Sequence, residues 1–450
     1  MKLMAAGAIS SWLKKKWPWL LVFALLGAVH LTNVSSEFGG NVGGDSVIYY
    51  LLGKALATGQ GYVDLYLPGH PPHVKYPFLF PLLLAPFHLA FKNPLPAMHA
   101  MVALFNVAAA VALGLWAGRR WGSERMGLCL ALVFGTLPRL YLQSGHLLTE
   151  PLYMAFCFLA LLLLPADKGA AMIPGRFALL GLLVLAAFFT RTAGVALALA
   201  VGLDLLLRRT TIAAGKRQLP AGVVLLVIFA LAAGLWVLRN KLAGAEGLVY
   251  LRHFMVRGNA LLGSVGFNEL AFQTYNNFKY YFYFLGLHSF TPGWTVPLPY
   301  LAFQVIGYGL FAVIVTGLVL ELWRGRYGAE LFLVLSMVMV ILWPFMEDRF
   351  LLPVLPLASF YLLRAIKRGL GFIPRPKAAS WAMAGIMALV LVCQGYLVTR
   401  FAADRLADGR DPKVPVRVEG YGTWERPVIN WAKYDLRFIG VDREDRKSVV

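Results

Sequence analysis

The sequence predicts an all-α polytopic membrane protein, with about eleven transmembrane helices and interfacial helices in the first loop outside the cytoplasm. Three observations carry this. Hydrophobic residues make up 59% of the 450 residues and charged ones only 14%, whereas a soluble domain carries roughly a quarter charged. Mean hydropathy is +0.67. Apolar runs long enough to cross about 30 Å of hydrocarbon recur along the chain, separated by short polar connections.

The runs fall at 18–34, 95–117, 125–142, 150–165, 176–190, 193–207, 219–238, 298–320, 329–345, 350–364 and 379–398. A formal net charge of +20 invites a nucleic-acid reading, so the placement of the charges decides. Alternate connections hold twenty basic residues, among them Lys14 to Lys16, Arg119, Arg120, Arg208, Arg209, Arg324, Arg326, Arg364, Lys367 and Arg368, against four acids, Glu124, Asp167, Glu321 and Glu330. The positive-inside rule makes those connections cytoplasmic. The excess is spread over short loops rather than massed in one patch, which excludes nucleic acid as a partner. The expected location is the plasma (inner) membrane, multi-pass, with a cytoplasmic N-terminus and an extracytoplasmic tail. The lysines before WPWLLVFALLGAVHL resemble the start of a signal peptide, but an uncleaved first span is the reading adopted, and cleavage leaves the topology unchanged.

In chain order, the first extracytoplasmic loop covers about residues 35–95 and opens with a Gly-flanked acid, Asp45. Residues 46–57 have a helical apolar face closed by Thr58-Gly59-Gln60-Gly61, too short to span, and read as an interfacial helix. The proline-rich run LPGHPPHVKY predicts an ordered turn exposing His70, His73 and Lys75. The next apolar run carries Pro77, Pro81 and Pro86 and reads as a second interfacial or re-entrant element.

Further on, the third span delivers Tyr141, His146 and Glu150 to the outer face. Glu150 has two readings, an acid favoured by a helix N-terminus or a carboxylate at a cavity rim. Arg191 sits in a loop so short that it either snorkels to a lipid phosphate or binds a substrate anion. Arg239 ends the seventh span, and Glu347-Asp348-Arg349 forms the turn between the ninth and tenth, where Arg349 pairs with a neighbouring acid or faces substrate. Asp204 is explained without function as an i,i+4 partner of Arg208. Cys129, Cys157 and Cys393 fall inside spans and read as packing residues. Domain organisation follows: residues 1–398 form one transmembrane catalytic domain with a long aromatic-rich extracytoplasmic loop at about 239–297, and 399–450 form a small extracytoplasmic tail with strand and turn character.

Carboxylates and cations gathered at one membrane face suit displacement of an anionic leaving group by a hydroxyl. The motifs carry a resemblance as well. Gly44-Asp45, Lys75-Tyr76-Pro77 with Pro81-Leu82-Leu83, Ser144-Gly145 with Thr149-Glu150-Pro151, Thr190-Arg191 with Gly194, Leu238-Arg239-Asn240 and Arg349-Phe350-Leu351-Leu352-Pro353 occur in order over about residues 12–365. This succession resembles the GT-C integral-membrane glycosyltransferases, in particular the group with aminoarabinose lipid A transferases, protein O-mannosyltransferases and Rgt-type lipopolysaccharide transferases.

The resemblance implies a polyprenyl-phosphate-linked monosaccharide donor and inverting transfer to a cell-envelope acceptor, whether glycolipid, polysaccharide or protein, at an extracytoplasmic site. It implies Asp45 as general base and Glu150 as a second acidic catalytic residue. Lys75, with Arg191 or Arg239, would hold the lipid phosphate, and Arg349, His146 and Tyr141 are further candidate substrate contacts. No cofactor is certain. Some relatives carry an acid before the lysine; here position 74 is Val, which weakens an inherited site for a divalent metal ion, with His70 or His73 as the substitute ligands open to it. The alternative is a transporter or flippase for an anionic lipid, against which stands the absence of strong charges in mid-span.

Overall fold

The computed structural model describes residues 2–36, 38, 44–214, 217–245, 266–288, 300–344 and 347–408, and all that follows concerns those. They form fifteen α-helices, three short strands and a 3-10 turn. The helices are α1 Lys2–Leu31, α2 Asp45–Ala57, α3 Leu79–Ala90, α4 Leu95–Trp121, α5 Glu124–Gly135, α6 Pro138–Gln143, α7 Glu150–Leu163 and α8 Pro174–Thr190. They continue as α9 Gly194–Leu207, α10 Ala221–Leu242, α11 Phe267–His288, α12 Tyr300–Trp323, α13 Gly328–Leu342, α14 Leu355–Leu370 and α15 Pro376–Asp408. The 3-10 turn Asp348–Leu351 precedes α14. Strands β1 Ala171–Met172, β2 Thr211–Ala214 and β3 Arg217–Pro220 make a small sheet, β1 parallel and β3 antiparallel to β2.

This is an all-α multi-pass membrane protein. Four helices are long and apolar enough to cross a bilayer unaided, within α4, α10, α12 and α15, and six shorter apolar ones accompany them. Exposed leucines and valines such as Leu231, Leu235, Val305, Leu389 and Val392 cover the outside, a surface that water would penalise and hydrocarbon accepts. The expected run 125–142 divides in two, because Pro138 has no N–H to continue the ladder and starts the separate helix α6. The twelve residues of α5 reach only about 18 Å. Within the segment read as the loop 239–297 lies the 22-residue helix α11. The 399–450 tail lies outside the described residues beyond Asp408, where α15 ends.

Local signals set the boundaries. Ser123 caps α5 by accepting from the Met126 N–H, and Gly122 closes α4 in the left-handed region at φ 72°. Gly114 and Gly127 let α4 and α5 meet backbone to backbone. A large core runs through α4, α5, α7, α9, α12 and α14. A second core, built from Tyr49, Leu52, Tyr76, Phe80 and Leu84 against Met98, Val102, Leu147 and Leu152, fastens α2 and α3 onto the ends of α4 and α7. That platform positions Asp45. As the i,i+4 spacing predicts, Asp204 and Arg208 pair at 2.8 Å.

Candidate active site

Four short segments converge where α2 begins, α7 begins, α8 turns into α9 and α13 leads into α14. Asp45 is the first residue of α2. Its Oδ1 accepts from the Tyr76 hydroxyl at 2.5 Å and its Oδ2 from Arg349 Nη2 at 2.8 Å. Arg349 also pairs through Nε with Glu347 and lies 3.8 Å from Glu150 Oε1. On its other side Glu150 Oε1 is 2.6 Å from Arg191 Nη1, which donates in addition to Thr149 Oγ1 at 3.1 Å. The Phe350 ring packs under both guanidiniums. The result is a continuous chain of alternating charge, Arg191, Glu150, Arg349, Asp45, ending on a phenol.

Burial is unequal along that chain. Glu150 is 0% exposed; Pro151 behind it fits the first turn of α7, and the helix N-terminus favours its negative charge. Asp45 is half-buried. Burial alone would push its carboxyl up, but Arg349, Tyr76 and Lys75 outweigh that and hold it below the usual carboxylate range. For the Arg349 guanidinium burial opposes the charge, while Glu150, Asp45 and Glu347 raise its pKa.

The loop from Asp64 to Tyr76 holds the phenol in place. His73 is 2% exposed, which corrects the expectation of an exposed turn residue. Its Nε2 accepts the Tyr76 N–H at 2.8 Å, so Nδ1 carries the proton and donates to Asp64 at 2.6 Å. With both ring nitrogens occupied, His73 is a pin for Tyr76. His70 stays exposed, in the left-handed region at φ 45°. Lys75 lies over the Tyr76 ring at 4.9 Å.

Arg239 stands to one side of the charged chain. It donates to the His73 carbonyl, its neighbour Asn240 donates to the Val74 carbonyl, and its guanidinium covers the Tyr62 and Trp236 rings. It lines an apolar groove of about 480 Å³ together with Leu56, Tyr62, Phe78, Leu82, Phe189 and Trp236. Tyr62 links groove and cluster, since its hydroxyl donates to the Tyr76 carbonyl at 2.9 Å.

Two further predicted contacts lie in α6 and in the turn after it. Tyr141 is 0% exposed and shares a hydrogen bond with Thr32 at 3.0 Å against α1. His146 is half-buried in the turn after α6, its N–H bonded to the Gln143 carbonyl. Residues that sequence reasoning left out include Asn277 and Tyr281 on α11. Asn277 donates to the Ile341 and Trp343 carbonyls at 3.1 and 2.6 Å, and the Tyr281 hydroxyl accepts the Glu347 N–H at 2.8 Å. Together they fix the segment that carries Arg349. Nothing in the aromatic spacing of α11 signals this.

Among the described residues no three His, Cys, Asp or Glu side chains gather where they could share an ion. The carboxylates that do converge face guanidiniums, which suits a divalent metal poorly.

Neither a family model nor a curated protein matches this chain. Solved structures do. The chain is similar to the archaeal oligosaccharyltransferase AglB from Archaeoglobus fulgidus, solved with an inhibitory peptide and a dolichol-phosphate, at TM-score 0.50 and 14% identity over 88% of this chain and 56% of that one. It is similar to ArnT from Cupriavidus metallidurans bound to undecaprenyl phosphate, at TM-score 0.53 and 14% identity over 87% of this chain and 77% of that one. The chain has the GT-C fold. It spans little more than half the length of the oligosaccharyltransferase. Within the GT-C fold, the converging carboxylates and arginines come from helix ends and short turns, and the spans serve as their scaffold.

Proposed function

We propose that the protein is an inverting glycosyltransferase that moves a monosaccharide from a polyprenyl-phosphate donor to a hydroxyl of a cell-envelope acceptor at the extracytoplasmic membrane face. One observation carries the reading: Asp45, ion-paired to Arg349 in a chain of alternating charge, is joined through Tyr76 and Tyr62 to an apolar groove that Arg239 lines. Both structural neighbours were solved with a polyprenyl phosphate, dolichol-phosphate or undecaprenyl phosphate, which supports the donor class.

In this reading the prenyl chain lies in the groove and the phosphate sits toward Arg239 and Lys75. An acceptor hydroxyl attacks the anomeric carbon from the face opposite the phosphate, so the new C–O bond forms as the C–O bond to phosphorus breaks. Asp45 takes the hydroxyl proton. The leaving group departs as polyprenyl phosphate with one more negative charge, offset by the cations. Because the Asp45 carboxyl is a weak base, proton transfer comes late, once the sugar–acceptor bond is well advanced. Glu150, buried between two guanidiniums, acts as the group that orients Arg191 and Arg349 rather than as a second base.

The experiment is a donor panel: purified protein in lipid nanodiscs with labelled polyprenyl-phosphate sugars and envelope acceptors. The reading predicts free polyprenyl phosphate and a product of inverted anomeric configuration for at least one donor. Intact donor that crosses the bilayer of sealed proteoliposomes without sugar release would instead identify a flippase.

A further inference from the structure

A second cavity, of about 400 Å³, opens at the far ends of α12 and α14. It cannot belong to the Asp45 cluster: α14 starts beside the turn that carries Arg349 and runs sixteen residues, about 24 Å, before its end lines this cavity. The loop charges assign this face to the cytoplasm.

The lining is cationic. Arg324, Arg364, Lys367 and Arg368 surround it, with Glu321 as the sole acid in the wall. Glu321 is 0% exposed and already shared. Its Oε1 accepts from Arg364 at 2.9 and 2.6 Å and pairs with Arg324, and its Oε2 accepts from Arg326 at 3.0 Å. Three guanidiniums thus draw on one carboxylate, while Lys367 and Arg368 lie exposed. The Lys367 ammonium and the Arg364 guanidinium both rest on the Trp121 ring, at 5.0 and 5.2 Å, which fixes their direction without neutralising them. Beside these cations the wall includes Phe372, 85% exposed, and Trp323, next to Arg324 in the chain, is 80% exposed. Cations converging on a pocket beside exposed aromatic side chains at the ends of apolar helices match a ligand with an anionic phosphate head and apolar tails.

We propose that this cavity binds the headgroup of an anionic glycerophospholipid of the cytoplasmic leaflet. The phosphodiester would sit among Arg324, Lys367 and Arg368, the acyl chains running past Phe372. Arg364 and Glu321 form the preset floor.

The test is native mass spectrometry of the full chain in detergent, with added phosphatidylglycerol or phosphatidylcholine. Wild type should keep phosphatidylglycerol through activation that strips phosphatidylcholine. Lys367→Ala with Arg368→Ala, which spares every partner of Glu321, should lower phosphatidylglycerol occupancy roughly 10- to 30-fold. Arg125→Ala with Arg209→Ala, exposed cations of the same face, should keep wild-type occupancy. As a fold control, both double variants should unfold at the wild-type temperature without added lipid, and phosphatidylglycerol should raise that temperature in all but the Lys367/Arg368 variant. Equal retention in both variants, or equal loss in both, overturns the proposal. So does complete displacement of phosphatidylglycerol by inorganic phosphate, which would make free phosphate the occupant.

Discussion

At the scale of single residues, the chemistry rests on how Asp45 is held. Asp45→Asn keeps the shape and removes the base, so transfer should fall about 10²- to 10⁴-fold with donor binding retained, read as initial rates beside a binding isotherm. The pH dependence has a definite sign. The folded carboxyl is held below its ordinary value of 3.8, so the stability from its ion pair is complete above that value and is lost as pH falls through the lowered one. Thermal-unfolding midpoints of wild type and Asp45→Asn should therefore differ at neutral pH and converge below about pH 4, and Asp45 should add no acidic limb to the rate profile above that. For Glu150→Gln, the positioning role predicts a weakened donor KM and an unshifted pH profile; a shifted profile would make Glu150 a titrating participant. Much of this cluster was legible in the sequence, because acids and arginines at span ends with almost no loop demand an explanation. The parts that were not legible depend on loop closure: no local pattern tells that His73 reaches back to Asp64 and hands a rigid backbone to Tyr76.

Among elements, legibility followed hydrophobic length. Long apolar runs gave helices close to the expected ranges, and the short helices α2 and α3 of the first loop were foreseen from their stop signals and prolines. The expected third span failed at Pro138, where a proline outweighed continuous hydrophobicity. Helix α11 escaped notice because its apolar residues are mostly aromatic and interrupted by Asn276, Asn277 and Lys279, which read as a loop at the interface. Its role is testable. Asn277→Ala removes two hydrogen bonds to the end of α13, which should loosen the Arg349 segment and lower turnover several-fold while donor affinity stays unchanged. The α4–α5 crossing makes a separate prediction. A Cβ at Gly114 would stand 2.6 Å from the Gly127 carbonyl oxygen and 2.7 Å from the Ala131 Cβ, so Gly114→Ala should cost about 1–3 kcal/mol of stability, seen as a lower thermal midpoint.

For the whole molecule, two charged sites lie at opposite ends of one helical bundle, a mixed acid–base cluster at one and a cationic cavity at the other. Loop charge asymmetry predicts which face is which from sequence, since short loops carry the orientation signal. What pairing and packing do at each face required the folded chain. Single cysteines at Leu67 and at Arg368 should react with a membrane-impermeant thiol reagent from opposite sides of sealed vesicles; labelling of both from one side would break the topology. The most direct measurement is single-turnover release of polyprenyl phosphate from a labelled polyprenyl-phosphate sugar in nanodiscs, wild type against Asp45→Asn. Acceptor-dependent release by wild type and a loss of about 10²-fold or more in the variant are expected. Equal release by the two, or none by wild type with any donor, would contradict the proposed transfer.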